Sequence, residues 1–319
     1  MKKEKILIWI VLGFTLAVWP QGNLFAAPSN GGFLPEVRAL PTDASSSHEK
    51  PVQLAGLFDK LLDPNSKENK ILQGATSILS STGEIDYNSE RTIGESLALE
   101  GFGRYGMPVN NSALQKYVNL VGMSVARNSL RPEIPYAFVV VDSPLQNAFA
   151  CPGGIIFISS GLLNTIETEA QLAGILAHEV AHVGHKHALK TIQRARFFKG
   201  VGKITSATME GEKGKQFEDM IGGLENVLFD KGLDKNMEFE ADLSAMETAY
   251  RTGYDPNGLV EVLRELKRIE AVSPKKGSWF STHPPLSERI EKCKSQLKKY
   301  PDGASLAELP DRLRAAKKK

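Results

Sequence analysis

The chain has 319 residues, 41% of them hydrophobic and 24% charged, enough for one large domain or two small ones with a substantial core. Its 39 basic and 37 acidic residues leave a formal net charge of +2, so no strong field of either sign exists and a nucleic-acid platform is not expected. Two cysteines exclude a disulfide scaffold and a thiolate-rich zinc finger, and four of the six histidines crowd between His178 and His187.

The N-terminus reads as a targeting segment. Lys2, Lys3 and Lys5 precede the uncharged apolar run 6–19. At about 14 residues this run is shorter than the ~20 a spanning helix needs, and it suits a signal-peptide core. Pro20 and Gly22 break it, and a cut after Ala26 keeps Pro28 out of the +1 position. Residues 1–26 are therefore expected to be a signal peptide, with an uncleaved membrane anchor as the alternative. The mature chain is expected to be exported, soluble or peripheral to a membrane. No cysteine follows the apolar run, so a lipoprotein is not indicated. An oxidising compartment would let Cys151 and Cys293 pair; packing as two small hydrophobes fits as well.

Residues 27–52 are rich in Pro, Ser, Gly and Ala and read as a flexible tether. Segments 54–62 and 70–79 look like short amphipathic helices, which makes 53–85 a helical extension. A denser pattern over 86–300 marks the main domain. Helices are expected over 89–101 and 112–128, the second with Leu114, Tyr117, Val118, Val121 and Val125 on one stripe. The β-branched run 136–142 predicts a strand, and 147–151 with 155–159 a strand pair around Pro152-Gly153-Gly154. A long helix starts near Thr168, which forms a capping box with Gln171. Residues 200–235 read as a mobile connector with a short helix near 217–229, and the segment 188–237 as a lid over the site. Further helices are expected over 237–251, closed by Gly253, over 257–270, and from Pro284-Pro285 to Leu297. Residues 301–319 form a basic tail expected to fray.

Residues 178–182 read His-Glu-Val-Ala-His. With this chain's residue frequencies the pattern arises by chance in roughly one chain in a hundred of its length. On a helix, positions i and i+4 share one face with Cβ atoms about 5–6 Å apart, so His178 and His182 can hold one Zn²⁺. Glu179 then sits beside the ion, placed to act as general base towards water and as general acid towards a leaving amine. A catalytic zinc wants a third protein ligand. The extension x-x-Gly-x-x-His fails here, because His185 and Ala188 stand at those positions. The other option is Met237-Glu238-Phe239-Glu240-Ala241-Asp242, where Glu238 and Asp242 again share a face. Glu238 is the expected ligand and Asp242 the acceptor for a ligand histidine's outer nitrogen. His185 and His187 are expected to be solvated surface residues.

This set resembles the gluzincin family of HtpX, Oma-type and CAAX-prenyl endopeptidases. Two further segments support the resemblance, Asn147-Ala-Phe-Ala-Cys-Pro-Gly-Gly154 and Ser281-Thr-His-Pro-Pro-Leu-Ser-Glu-Arg-Ile290. It covers about residues 88–298; Cys151 stands where an apolar residue is expected. The resemblance implies an α+β, mostly helical zincin-like fold with a small β-sheet beside the active-site helix. It implies zinc-dependent endopeptidase activity with one Zn²⁺ per chain and protein or peptide substrates. Asn147, Ala148, Phe149 and Ala150 would form a substrate-facing edge strand. His283 and Arg289 would stabilise an oxyanion or hold the cleft. The chain looks most like the exported BepA-like members, which implies a periplasmic location and a role in quality control of unfolded or misassembled envelope proteins. About 20 residues follow the peptidase-like part, too few for the tetratricopeptide array of those members, so that array's partner roles are not carried over. The rival reading is a zinc-containing, chaperone-like envelope factor whose peptidase activity is latent.

Overall fold

A computed structural model describes residues 85–191, 222–223, 225–226, 229–230, 232–272, 278–283 and 285–318. The expected signal peptide, tether and helical extension, and most of the expected connector and lid, lie outside the described residues.

Capping chemistry sets the first two helices. Asp86 accepts from the N–H groups of Asn88 and Ser89 and starts α1 (Tyr87–Tyr105). Asn111 accepts from the N–H of Leu114 and starts α2 (Ser112–Ala126). The predicted stripe of α2 turns inward: Leu114, Val118, Val121 and Val125 are buried, and Tyr117 is partly buried.

Three short strands follow: β1 (Ala137–Val141), β2 (Ala148–Cys151) and β3 (Ile155–Ser159). They form one sheet in the order β1-β3-β2. The predicted strand pair, β2 and β3, is antiparallel, while β1 lies parallel to β3 with Ala137 opposite Ile155. The turn between β2 and β3 needs glycine, since Gly153 and Gly154 take φ of 77° and 102°. β1 and β2 are buried along their whole length, which explains their unbroken apolar sequence.

After α3 (Ser160–Thr165) comes the helix that organises the domain, α4 (Glu169–Gly184). The Thr168–Gln171 capping box forms in full. Every residue of α4 except Gln171 and Gly184 is buried. A helix buried all round, with only Glu169, His178, Glu179 and His182 as buried polar residues, belongs in the centre of a fold. Around it pack α2, β2, α5 (Lys235–Thr252) and α6 (Asn257–Val272). Gly253 closes α5 in the left-handed conformation, φ 95°. The short turn α7 (Trp279–Thr282) and α8 (Leu286–Gln296) complete the surroundings of the site. The architecture is α+β and mostly helical, with a small mixed sheet beside α4, as a zincin-like fold requires.

The basic C-terminal segment is ordered rather than frayed. Its helix α9 (Pro310–Lys318) buries Leu313 and Ala316. Glu308 C=O accepts from Ala170 N–H at the start of α4, and Lys317 Nζ donates to Ile166 C=O at 2.6 Å. Two apolar residues three apart are enough to dock a helix whose other side is charged. Cys151 and Cys293 are both buried free thiols, so the pairing an oxidising compartment would allow is not made. Among the described residues, no helix is long and apolar enough to cross a membrane.

Candidate metal centre

The i, i+4 spacing delivers two imidazoles to one point. His178 Nε2 and His182 Nε2 on α4 stand 2.9 Å apart. Glu238 enters from α5, with its carboxylate oxygens 3.5 Å from His178 Nε2 and 3.6 Å from His182 Nε2. A tetrahedral ion with bonds of ~2.0–2.2 Å needs ligand atoms about 3.3–3.6 Å apart, close to this triangle. All three side chains are at least 94% buried, at 0%, 6% and 0% exposure. Neither Glu238 oxygen makes a hydrogen bond among the described residues, and the one guanidinium near it, Arg289 Nη1 at 3.0 Å from Oε2, is shared with Asp242. Two buried carboxylates, Glu238 and Asp242, thus share one guanidinium, and Glu238 faces the two imidazoles, so the donor set fits a metal.

Asp242, one turn after Glu238, puts Oδ1 3.0 Å from His178 Nδ1. This leaves Nε2 of His178 as its free face. Arg289 from α8 closes the back of the site. Its Nε and Nη2 donate to the two Asp242 oxygens at 2.7 and 2.6 Å, and its Nη1 donates to His283 C=O at 2.7 Å. Nη1 also lies 3.0 Å from Glu238 Oε2. Arg289 is fully buried. With its donors engaged behind the ligands, it is placed to position them and not to reach a substrate oxyanion, one of the two roles the sequence suggested. The opposite charge of Asp242 fixes it there, since a lone guanidinium could not be buried.

Glu179 borders a narrow cleft shared with Phe149, Ala150, His182, Leu233 and His283. Its Oε1 accepts from Trp279 Nε1 at 3.2 Å, and its Oε2 has no partner among the described residues. His283 Nε2 is 3.6 Å from Glu179 Oε1, and its Nδ1 is 2.9 Å from Thr282 Oγ1. His283 also belongs with His178, His182 and Glu238 to one group whose ligand-type atoms lie within 4.8 Å of one another. The predicted substrate strand divides: Phe149 and Ala150 line the cleft, whereas Asn147 and Ala148 are buried away from it.

The electrostatics follow from burial and pairing. Burial pushes the Glu179 carboxyl up to about 7, against the pull of His178 and the Trp279 N–H. Burial also raises Glu238, with Arg289 and His178 opposing. For Asp242 burial is overridden by the Arg289 guanidinium, which holds the carboxyl at about 2. His178 is raised to about 9, because Asp242 and Glu238 outweigh burial and Arg289. Burial and then the neighbouring His178 keep His182 and His283 well below the ordinary histidine value, so both imidazoles are neutral.

Two residues here escaped the sequence reading. Trp279 carries no spacing signal. His187 was expected at the surface, yet it is fully buried, with Nδ1 2.8 Å from His182 Nδ1 and Nε2 3.1 Å from Glu240 Oε2. Lys186 takes φ 56°, which breaks helical register after α4 before helix resumes at His187.

Residues 112–297, more than half of the chain, match peptidase family M48. The chain belongs to this family. Among curated M48 relatives, the mitochondrial metalloendopeptidase OMA1 of Schizosaccharomyces pombe is 26% identical over 220 residues, which is 67% of this chain and 63% of that protein. The beta-barrel assembly-enhancing protease of Yersinia pestis is 27% identical over 207 residues, 60% of this chain and 41% of that protein. The mitochondrial metalloendopeptidase OMA1 of Bos taurus is 30% identical over 166 residues, 50% of this chain and 32% of that protein. The chain thus spans less than two thirds of the length of these relatives.

Proposed function

We propose that the chain is a zinc-dependent endopeptidase acting on unfolded or misassembled exported proteins. The observation that carries this reading is the convergence of His178 Nε2, His182 Nε2 and the Glu238 carboxylate beside a protonatable carboxyl that borders a cleft. Two imidazoles and one carboxylate are the donor set of catalytic zinc. When bound, the ion supplies a Lewis acid that polarises the scissile carbonyl and lowers the pKa of water.

The chain's own groups do the rest. Glu179, poised near neutrality, takes a proton from the attacking water and hands it to the leaving amine. The edge strand at Phe149 and Ala150 offers backbone hydrogen bonds to an extended peptide. Neutral His283 donates from the cleft wall to the oxyanion. Asp242 and Arg289 hold His178 and Glu238 in place.

Family membership supports the reaction class, and the name of the Yersinia pestis relative, a beta-barrel assembly-enhancing protease, supports a role in protein assembly. The apolar segment 6–19 supports export to the periplasm, with an anchored or peripheral form as the variant.

The test is hydrolysis of unfolded casein with and without a chelator. Glu179→Gln is expected to keep the fold and the zinc while cleavage falls by orders of magnitude. Full activity in that variant refutes the reading, and casein binding without chelator-sensitive cleavage favours a chaperone-like factor. A second reading rests on His283 lying within the ligand group: a resting centre whose fourth position it takes. His283→Ala then raises basal cleavage, whereas the oxyanion role requires a fall.

A further inference from the structure

We infer that His187 and Glu240 form a hydrogen-bonded relay that fixes the tautomer and orientation of His182, as Asp242 does for His178. The inference rests on His182 being a metal ligand through Nε2. A ligating imidazole presents its Nε2 lone pair, so its proton sits on Nδ1 and needs an acceptor. Asp242 serves His178 in this way from α5, one turn after Glu238. For His182 the atom in place is His187 Nδ1, at 2.8 Å.

One assignment then satisfies the whole chain of contacts. His187 Nδ1 accepts from His182, so the His187 proton sits on Nε2. That atom is 3.1 Å from Glu240 Oε2, a carboxylate acceptor. The other Glu240 oxygen lies 3.2 Å from His185 Nδ1, while His185 Nε2 is 2.8 Å from Ser244 Oγ. His185 thus steadies a carboxylate whose side chain is 50% exposed. The relay runs outward from a dry centre to a solvated charge.

His185, His187 and Glu240 could also be taken for a second cation site, since their ligand atoms cluster within 4.8 Å. The tautomer argues against it. With His187 Nδ1 accepting from His182, a metal on Nε2 would demand an imidazolate. The cluster therefore serves the first centre.

The experiment measures zinc affinity of the full chain by chelator competition and the visible absorption of the Co²⁺ form. His187→Phe keeps an aromatic ring but removes the acceptor; a roughly 10–100-fold loss of zinc affinity and an altered Co²⁺ spectrum are expected. His187→Asn returns an acceptor oxygen near the Nδ1 position and is expected to recover most of the affinity. Glu240→Ala, at a half-exposed side chain, is expected to lower affinity with an unchanged unfolding midpoint of the metal-free protein; it decides the matter if the His187 variants fail to fold. Packing alone predicts the reverse order, with Phe tolerated better than Asn and Glu240→Ala silent, and that result overturns the relay. A wild-type chain that binds no zinc refutes the centre itself and the relay with it.

Discussion

Trp279 Nε1 donates to Glu179 Oε1 at 3.2 Å across 100 positions of sequence. A single turn of helix, α7, thus holds one oxygen of Glu179, the proposed general base, and leaves the other without a hydrogen bond among the described residues. The bond favours the ionised carboxyl and works against burial, which pushes Glu179 up to about 7. Only the carboxylate form takes a proton, so activity is expected to fall as pH drops below the Glu179 pKa. Trp279→Phe removes the donor and should move this acid limb of kcat/KM to higher pH, by about one unit. A limb at the same pH in both proteins would show that the indole does not tune the base.

Arg289 and Asp242 form a fully buried, doubly hydrogen-bonded pair. Removing one partner leaves the other charge unpaired in the interior, at a cost of about 3–5 kcal/mol. Arg289→Met is therefore expected to lower the unfolding free energy by that amount. The pair also dictates acid behaviour. Asp242 titrates at about 2 in the fold against 3.8 in the open chain. Its folded pKa is depressed, so its contribution of about 2 kcal/mol is complete above pH 4 and is lost as pH falls through 2. Denaturant titrations at pH 5 and pH 2.5 should show the loss in the wild type and a shallower one in Arg289→Met.

Thr168 caps α4 far from the chemistry. Its hydroxyl accepts from Gln171 N–H at 3.1 Å, and Gln171 Oε1 accepts from Thr168 N–H at 3.2 Å. Thr168→Ala should cost about 1 kcal/mol of stability with kcat/KM unchanged. A large drop in catalysis at equal stability would mean that the cap also aims the histidines.

Local periodicity carried much of the site. His178, Glu179 and His182 lie within one helical turn, and Glu238 with Asp242 within another, so spacing alone places each pair on a common face. Thr168 was legible for the same reason. What the sequence hides depends on distant partners. Arg289 stands out only through the family resemblance; spacing alone leaves it an ordinary charged helix residue, because only Asp242 and Glu238 make its burial tolerable. His187 is masked by the left-handed Lys186, which no helical wheel anticipates. The parallel pairing of β1 with β3 is non-local, and the docking of α9 rests on Leu313 and Ala316 within a run of basic residues.

The closing contacts onto α4 come late in the chain. Its histidines are made at 178 and 182, their carboxylate partner at 238, the guanidinium at 289, and the support for its first turn at Glu308. A ribosome therefore releases the paired histidines well before the groups that order them. A nascent chain stopped short of Arg289 carries Asp242 and Glu238 without their counter-charge. Synthesis order itself keeps the candidate centre unassembled until Arg289 and Glu308 have followed the two histidines out.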